Sequence, residues 1–492
     1  MPNQPNILLI HADQHRIDCL GAYGNREVRT PNLDALAADG VTYPNSFCSF
    51  PVCTPSRYSL VTGLYVHQHL GWTNHCTLPS GIPMFPRLLR DAGYRTAAVG
   101  KMHFTPTYLD VGFEDMCLAE QNGPGRYDDD YHRWLMAEGL CPGVDFMDQE
   151  REFRANATDE YWDSVGAMES DLDEEHHSTT WVAARAMERL ARWQGGGNLL
   201  MVGFVKPHHP FDPPAPWSKL YNPATITPLP GWTEEPVNGD IESSRGYFPH
   251  AELTERKLKL ATAMYYATIT QIDHHVGRML DLLRQNGLYE NTMVVYTSDH
   301  GDYLGYHHLL LKGGRLYDPL AKVPLLVKYA GNARAGERDE SLVSNVDLAP
   351  TFLQAAELAV PRLLPGRDLA TGEAPEFVFA EDPGARTYMV RSRRYKLILE
   401  RNEEKSLFFD LDDDPHELCN RYGDPVLEGE IRRHREGLFR WALFDARTPV
   451  NLDEYAPIID APNAVGLEPG RRQTEVAYFR ERMREFGVPP VE

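Results

Sequence analysis

The chain has 492 residues, 42% hydrophobic and 24% charged, which is the balance of a globular protein with ample core and no need of disulfide staples. Its 71 acidic residues outnumber 49 basic ones, a formal net charge of −22 that argues against nucleic acid and anionic membranes as partners. A small anionic substrate stays admissible, because a local cluster of cationic side chains and metal inverts the field inside a cleft.

The first element in chain order is the apolar run of NILLIHADQ, residues 6–14, which predicts a strand ending at Asp13 and Gln14. No basic stretch followed by a long apolar one precedes it, and no segment reaches the roughly 18 apolar residues of a membrane span, so a cytoplasmic protein is expected. TPNLDALAADG, residues 30–40, opens with Thr-Pro and closes with Gly40, the start and stop of a helix. In the stretch beginning FPVCTPSRYSL at residue 50, Thr54 is the expected N-cap, Pro55 the first helical residue and Gly63 the stop. Cys53 then lies just outside a helix N-terminus, where free N–H groups favour an anion and lower a thiol pKa.

FPRLLRDAGY predicts a helix leading into the strand of RTAAVGKMHF, which ends at Lys101 and His103. Residues 114–177 are acidic and weakly periodic, and read as a large insertion over the cleft, of the kind that decides substrate choice. STTWVAARAMERLARWQGGG predicts a helix before the strand of NLLMVGFVKPHHPF, which ends at His208 and His209. A long amphipathic stretch, 253–287, leads to NTMVVYTSDHGD, ending at Asp299, His300 and Asp302, and LLLKGG then brings Lys312. From about 375, EFVFA, TYMVRS, YKLILE and SLFFDL predict a small antiparallel sheet with the helix of 426–446 packed on it. DLDDDPHE has the look of a calcium loop, but Pro415 stands where an EF-hand needs glycine, and it reads as a turn. The tail, 447–492, contains a helical pattern at 473–487 and is a candidate for homo-oligomer contacts. The seven cysteines are odd in number and show no CxxC spacing, so neither a disulfide framework nor a structural zinc site is expected.

Four of these strands are short apolar runs without clean alternation, the mark of strands buried on both faces. Their alternation with helices predicts an α/β fold with a mainly parallel central sheet and helices on both faces, followed by the small antiparallel subdomain. In such sheets ligands bind beyond the carboxyl ends of the strands, which is where the ionisable residues gather. Any single one of them could be a turn residue; four strand ends joined by the Cys53 segment point to an active site.

CTPSR resembles the Cys-x-Pro-x-Arg signature of the sulfatase family. LVTGLY after it, with PNILLIHADQ, TPNLDALAADGVTYPNSFC, GYRTAAVGKMHF, KPHHPFDPP, TSDHGDYLGYHHLLLKGG, VPLLVK and LFFDLDDDPHELCNRY, resembles further blocks of that family in the expected order. The resemblance implies an alkaline-phosphatase-like catalytic domain over 1–374, a C-terminal subdomain over 375–446 and hydrolysis of a sulfate monoester. It implies that a formylglycine-generating enzyme oxidises Cys53 to formylglycine. One hydroxyl of the hydrated aldehyde attacks sulfur and expels the alcohol; the other loses its proton as the hemiacetal sulfate collapses and sulfate leaves.

The same resemblance places one divalent metal on Asp13, Gln14, Cys53, Asp299 and His300. Gln14 stands where many members carry a second aspartate, a form similar to choline-sulfatase-like and phosphonate-hydrolase-like relatives. The oxygen-rich set favours Ca²⁺, then Mn²⁺ or Mg²⁺, over Zn²⁺. Arg57 would bridge the hydrated aldehyde and the metal carboxylates, Lys101 would bind a sulfate oxygen, and His103 would handle the gem-diol proton. His208 is a general acid for the leaving alcohol or a sulfate donor, and Lys312 bridges sulfate and metal. His209 reads as an orienting neighbour, Asp302 as a capping residue, and His307 or His308 as a residue that could reach the pocket. Two other readings stay open: a phosphonate or phosphate ester hydrolase on the same site, and an inactive anion-binding protein with unmodified Cys53. The alcohol, whether aryl, sugar or choline-like, is left open.

Overall fold

The structure, a computed structural model, describes residues 4–121, 128–140, 157–240, 248, 252–382 and 387–446. The tail from 447 and the middle of the 114–177 stretch lie outside the described residues. The four sequence-read strands are β1 (Asn6–Asp13), β4 (Arg95–Gly100), β6 (Asn198–Pro207) and β7 (Thr292–Thr297). They lie side by side in an eight-stranded sheet of order β5-β4-β6-β1-β7-β8-β2-β9. Here β2 is Val41–Thr42, β5 Asp115–Leu118, β8 Leu325–Lys328 and β9 Glu337–Arg338. From β5 to β7 all pairings are parallel, with β1 at the centre in register Ile7↔Leu199 and Ile7↔Met293, and β8 turns antiparallel. β5 opens the stretch read as an insertion, so that stretch begins as an edge strand of the main sheet.

The unalternating apolar runs follow from burial on two sides. Ile7, Leu9, Leu199, Met201, Met293 and Val295 face one core layer with Phe85, Leu89, Phe352 and Leu353 from the helices Phe85–Asp91 and Leu348–Ala355. Leu8, Ile10, Leu200, Val202 and Val294 face the other, against the helices Ser178–Leu190 and Glu255–Gln285. The 31-residue helix Glu255–Gln285 is capped by Thr254, whose hydroxyl accepts the Lys257 N–H.

After β3 (Ser46–Phe47) and β10 (Val343–Ser344), which pair with each other, comes the C-terminal sheet. β11 (Val378–Asp382), β12 (Thr387–Arg391), β13 (Tyr395–Glu400) and β14 (Leu407–Asp410) form an antiparallel meander, with the helix Glu428–Arg440 packed on it through Ile431, His434 and Leu438. A buried polar seam joins it to the main domain: Lys396 bonds Asp318 (2.8 Å) and Glu417 (2.6 Å), and Arg315 bonds Glu400 (2.6 Å) and Asp240 (3.3 Å). Glu417 ends the DLDDDPHE stretch inside this seam. The six described cysteines form no disulfide. Among the described residues no helix is long and apolar enough to cross a membrane.

Candidate active site

The carboxyl ends of β1, β4, β6 and β7 converge on the N-terminus of the helix Cys53–Thr62. That helix starts two residues earlier than the sequence reading: Cys53 is its first residue and Val52 the N-cap. Thr54 does not cap it, because its hydroxyl donates to the His103 carbonyl (2.7 Å) and its own N–H donates to Asn74 Oδ1 (3.1 Å). All ten helix residues are buried, and Gly63 ends it at φ +70°, where a Cβ would sit 2.9 Å from Ala349 and Leu364. Burying a helix end needs partners for its free N–H groups, and here the Asn74 side chain takes that of Thr54.

Arg57, one turn along, is fully buried and organises two carboxylates. Its Nη2 pairs with Asp13 Oδ2 (2.8 Å), its Nε with Asp299 Oδ2 (2.8 Å), and its Nη1 donates to the Lys101 carbonyl. Lys101 Nζ adds a second cation to Asp13 Oδ2 at 2.8 Å. Burial alone would raise the Asp13 pKa, but Lys101, Arg57 and Lys312 together hold it well below the usual carboxylate range. Asp299 is likewise lowered, against burial and the Asp13 charge, by Arg57. Both are carboxylates at any physiological pH.

With the Oδ2 atoms taken by cations, the Oδ1 atoms face inward. Asp13 Oδ1 lies 3.8 Å from Cys53 Sγ and 3.9 Å from His300 Nε2, and Asp299 Oδ1 lies 3.9 Å from the same nitrogen. His300 Nδ1 donates to the Gly301 carbonyl (2.8 Å), so Nε2 is the nitrogen turned to the cluster, and, against burial, Asp299 raises the pKa of the ring. One ligand atom each from Asp13, Cys53, Asp299 and His300 falls within 4.8 Å of the others, all four buried. That spread fits donors around a single cation, and the set is two carboxylates, one imidazole and the position-53 side chain. Gln14, in a left-handed conformation (φ 64°), donates from Nε2 to Asp302 Oδ2, and its Oε1 accepts from Lys312 (3.2 Å), the lysine that also reaches Cys53 and His300.

Lys312 is the fourth wall. Its Nζ reaches His208 Nε2 (2.8 Å), Cys53 Sγ (3.0 Å), Gln14 Oε1 (3.2 Å) and His300 Nε2 (3.3 Å). His208 Nδ1 donates to the His209 carbonyl (2.6 Å), so its Nε2 accepts from Lys312. Burial, Lys312 and Lys101 push the His208 pKa down to about 3, so the ring is neutral and the ammonium carries the charge. Burial and Asp13 oppose ionisation of Cys53, yet Lys312, Lys101 and His300 outweigh them and place the thiol well below its ordinary pKa. His103 sits at φ +55° with both ring nitrogens unbonded, and burial with Lys101 and Arg57 keeps it neutral.

Asp13, Cys53, Arg57, Lys101, His103, His208, Asp299, His300 and Lys312 thus form one cluster, with Gln14 at its edge. His307 and His308 do not join it: His307 bonds Asp240 and the His416 carbonyl, and His308 bonds the Thr233 carbonyl and stacks on Trp232. His209 bonds the Val165 carbonyl, and Asp302 accepts from Gln14, Leu304 and Leu311. Sequence reasoning passed over Asn74, Glu120, Gln121 and His11. Only His11 carried a signal, a polar residue inside the apolar β1 run; it is buried with both ring nitrogens unbonded, and burial followed by Arg57 lowers its pKa to about 3.

The Sulfatase family profile matches residues 5–358, and the N-sulphoglucosamine sulphohydrolase C-terminal profile matches 307–440. An arylsulfatase of Clostridium perfringens is 31% identical over 462 residues, 85% of this chain and 90% of that protein. A multifunctional alkaline phosphatase superfamily protein of Trinickia caryophylli is 29% identical, over 90% of this chain and 96% of its own. The phosphonate monoester hydrolase of Agrobacterium radiobacter shares the fold at a TM-score of 0.73, with 23% identity over 93% of this chain and 96% of that one. With a charged, closed cluster at the sheet's carboxyl edge and a family match over most of its length, the chain belongs to the sulfatase family and is a sulfuric ester hydrolase.

Proposed function

We propose that the chain hydrolyses a sulfate monoester to an alcohol and sulfate, with Cys53 converted to formylglycine by a generating enzyme. The observation that carries this is the position of Cys53: its Sγ is 3.0 Å from Lys312 Nζ, 3.3 Å from His300 Nε2 and 3.8 Å from Asp13 Oδ1, at the first residue of a buried helix. A hydrated aldehyde supplies two geminal hydroxyls, a nucleophile and a handle for release of the sulfate. Asp13, Asp299, His300 and the residue at 53 would hold one divalent cation, Ca²⁺ by the hardness of the carboxylates with Mn²⁺ or Mg²⁺ as alternatives, and it would supply Lewis-acid polarisation.

The chain's own side chains do the rest. Lys312 presents its ammonium to the anionic oxygens where charge builds up, while the neutral His208, whose Nδ1–H is spent on the His209 carbonyl, accepts one of that ammonium's protons. The Lys312–His208 pair holds a shared proton at 2.8 Å, available to the departing alkoxide. His103 offers an unbonded, neutral nitrogen to take the second hydroxyl's proton. Arg57 fixes both carboxylates so that their Oδ1 atoms point inward.

Steady-state rates on an aryl sulfate and an aryl phosphonate monoester, paired with the mass of the Cys53 peptide, test this. Sulfate turnover proportional to the aldehyde fraction, abolished in Cys53→Ala, is expected. Turnover by protein whose Cys53 is wholly thiol would overturn it. A faster rate on the phosphonate would favour the second reading, which the Gln14 position and the phosphonate monoester hydrolase fold match support.

A further inference from the structure

Two side chains beside the site have no role in the chemistry above, yet they hold it from behind. Glu120 and Gln121 follow the edge strand β5 and are 3% and 1% exposed. The Glu120 carboxylate receives the N–H of Met102 at Oε1 (3.1 Å) and the N–H of His103 at both oxygens (3.0 and 3.1 Å). It thereby closes the turn Lys101-Met102-His103, in which His103 adopts a backbone conformation that a side-chain-bearing residue rarely takes. The neighbouring amide works in the other direction. Gln121 Oε1 accepts from Lys101 Nζ (3.1 Å), and its Nε2 donates to the His209 carbonyl (2.6 Å).

Adjacent residues therefore tie the end of β4 to the end of β6, and the whole clamp is braced in turn. Asp129 Oδ2 accepts the Glu120 N–H (3.0 Å), and Asp129 Oδ1 bonds His132 Nδ1 (2.8 Å). A buried carboxylate that accepts three charge-assisted contacts from one turn is costly to place without a return in geometry. Burial of the turn calls for an acceptor but not for a charged one, because a neutral amide or hydroxyl oxygen would also take these N–H groups.

We propose that Glu120 and Gln121 are positioning residues for the ester hydrolysis, Glu120 acting through His103 and Gln121 through Lys101. The assignment rests on the sulfatase reading of those two residues. Neither Glu120 nor Gln121 touches the reacting atoms. Glu120 sets the height and direction of the His103 ring; Gln121 directs the Lys101 ammonium at Asp13 and ties it to the turn that carries His208.

A pair of double-mutant cycles on the converted, metal-loaded enzyme tests the assignment. Glu120→Gln should lower kcat/KM by about tenfold in the wild-type background and by less than about twofold in His103→Ala. Gln121→Leu should do the same against Lys101→Ala. A residue that only stabilises the fold would cost the same in both backgrounds, and additive cycles overturn the proposal, as does an unchanged kcat/KM. If Glu120→Gln fails to fold, Glu120→Asp, which keeps the acceptor, replaces it in the same cycle. If His103→Ala turns over too slowly, affinity for inorganic sulfate read by calorimetry replaces kcat/KM. A wild-type enzyme inactive on sulfate and phosphonate esters sinks the functional reading, whereas additive cycles in an active enzyme sink only the positioning roles.

Discussion

Replacing Arg57 with Met removes the cation that two buried carboxylates share while keeping most of the side-chain volume. In the wild type each carboxylate has an Arg57 nitrogen at 2.8 Å, and only Asp13 has a second cation, Lys101. The variant strands Asp299 Oδ2 without an ionic partner in a fully buried setting. Removing one member of a buried ion pair costs about 3–5 kcal/mol, since the remaining charge is left uncompensated. For cooperative unfolding of all 492 residues, an unfolding entropy of about 2.1 cal/mol/K per residue turns that loss into a melting-point drop of about 3–5 °C. Scanning calorimetry of both proteins in a chelator should show this gap. Millimolar Ca²⁺ or Mn²⁺ should narrow it, because a dication among Asp13, Asp299 and His300 replaces the lost positive charge. Equal melting points in chelator, or a gap that widens with the cation, would refute the reasoning.

Lys312→Ala removes the donor that reaches Cys53, His208, His300 and Gln14, and should lower kcat by about 100- to 1000-fold on a sulfate ester, measured with fully converted protein. Exhaustive chelation should abolish turnover and lower the melting point, with both restored by the divalent cation; turnover that survives metal analysis at background would count against the metal site. Burial, only partly offset by the His103 N–H, raises the Glu120 carboxyl to about 7. The folded state then binds its proton more tightly than the unfolded chain, at about 4.3, so stability is fully present below about pH 4 and falls by up to about 1.4 kcal/mol per pH unit until about pH 7. Glu120→Gln lacks this term, so melting curves of variant and wild type should converge, or cross, between pH 4.5 and 7; parallel curves would contradict the shift.

What the sequence displays is set by local physics. Strands covered on both faces must be apolar throughout, so β1, β4, β6 and β7 are visible as runs, and the chemistry at their ends stands out against them. Gly63 is legible because only a glycine closes that helix with φ +70° against Ala349. Thr54 misled because a hydroxyl beside a proline has the form of an N-cap, while its true acceptor, the His103 carbonyl, is 49 residues away. β5 was hidden for a related reason: as an edge strand, its half-buried DMCL carries no apolar run. His307 and His308 sit five and four residues from Lys312, yet the loop turns them toward Asp240 and Trp232, a direction that sequence distance cannot encode. Glu120 and Gln121 had no periodicity at all, since their value lies in nonlocal bonds to Lys101, His103 and His209.

The charge of the cluster would give a conversion of Cys53 to formylglycine a second consequence beyond a better nucleophile. Two buried cations, Arg57 and Lys101, and the half-buried Lys312 face Asp13 and Asp299. With the thiol held well below its ordinary pKa by Lys312, Lys101 and His300, against burial and Asp13, a thiolate adds a third anion to the site. Its pairing with Lys312 at 3.0 Å occupies the one cation not already committed to a carboxylate. Replacing the thiolate by an uncharged hydrated aldehyde would remove one negative charge from a largely buried site, with or without the divalent cation. A sulfate monoester carries a single negative charge that would replace it, and its oxygens could take the place of sulfur beside Lys312. The modification would therefore create affinity for the substrate anion at the position where it would create the nucleophile, and an unconverted chain should bind inorganic sulfate more weakly than a converted one in the same buffer.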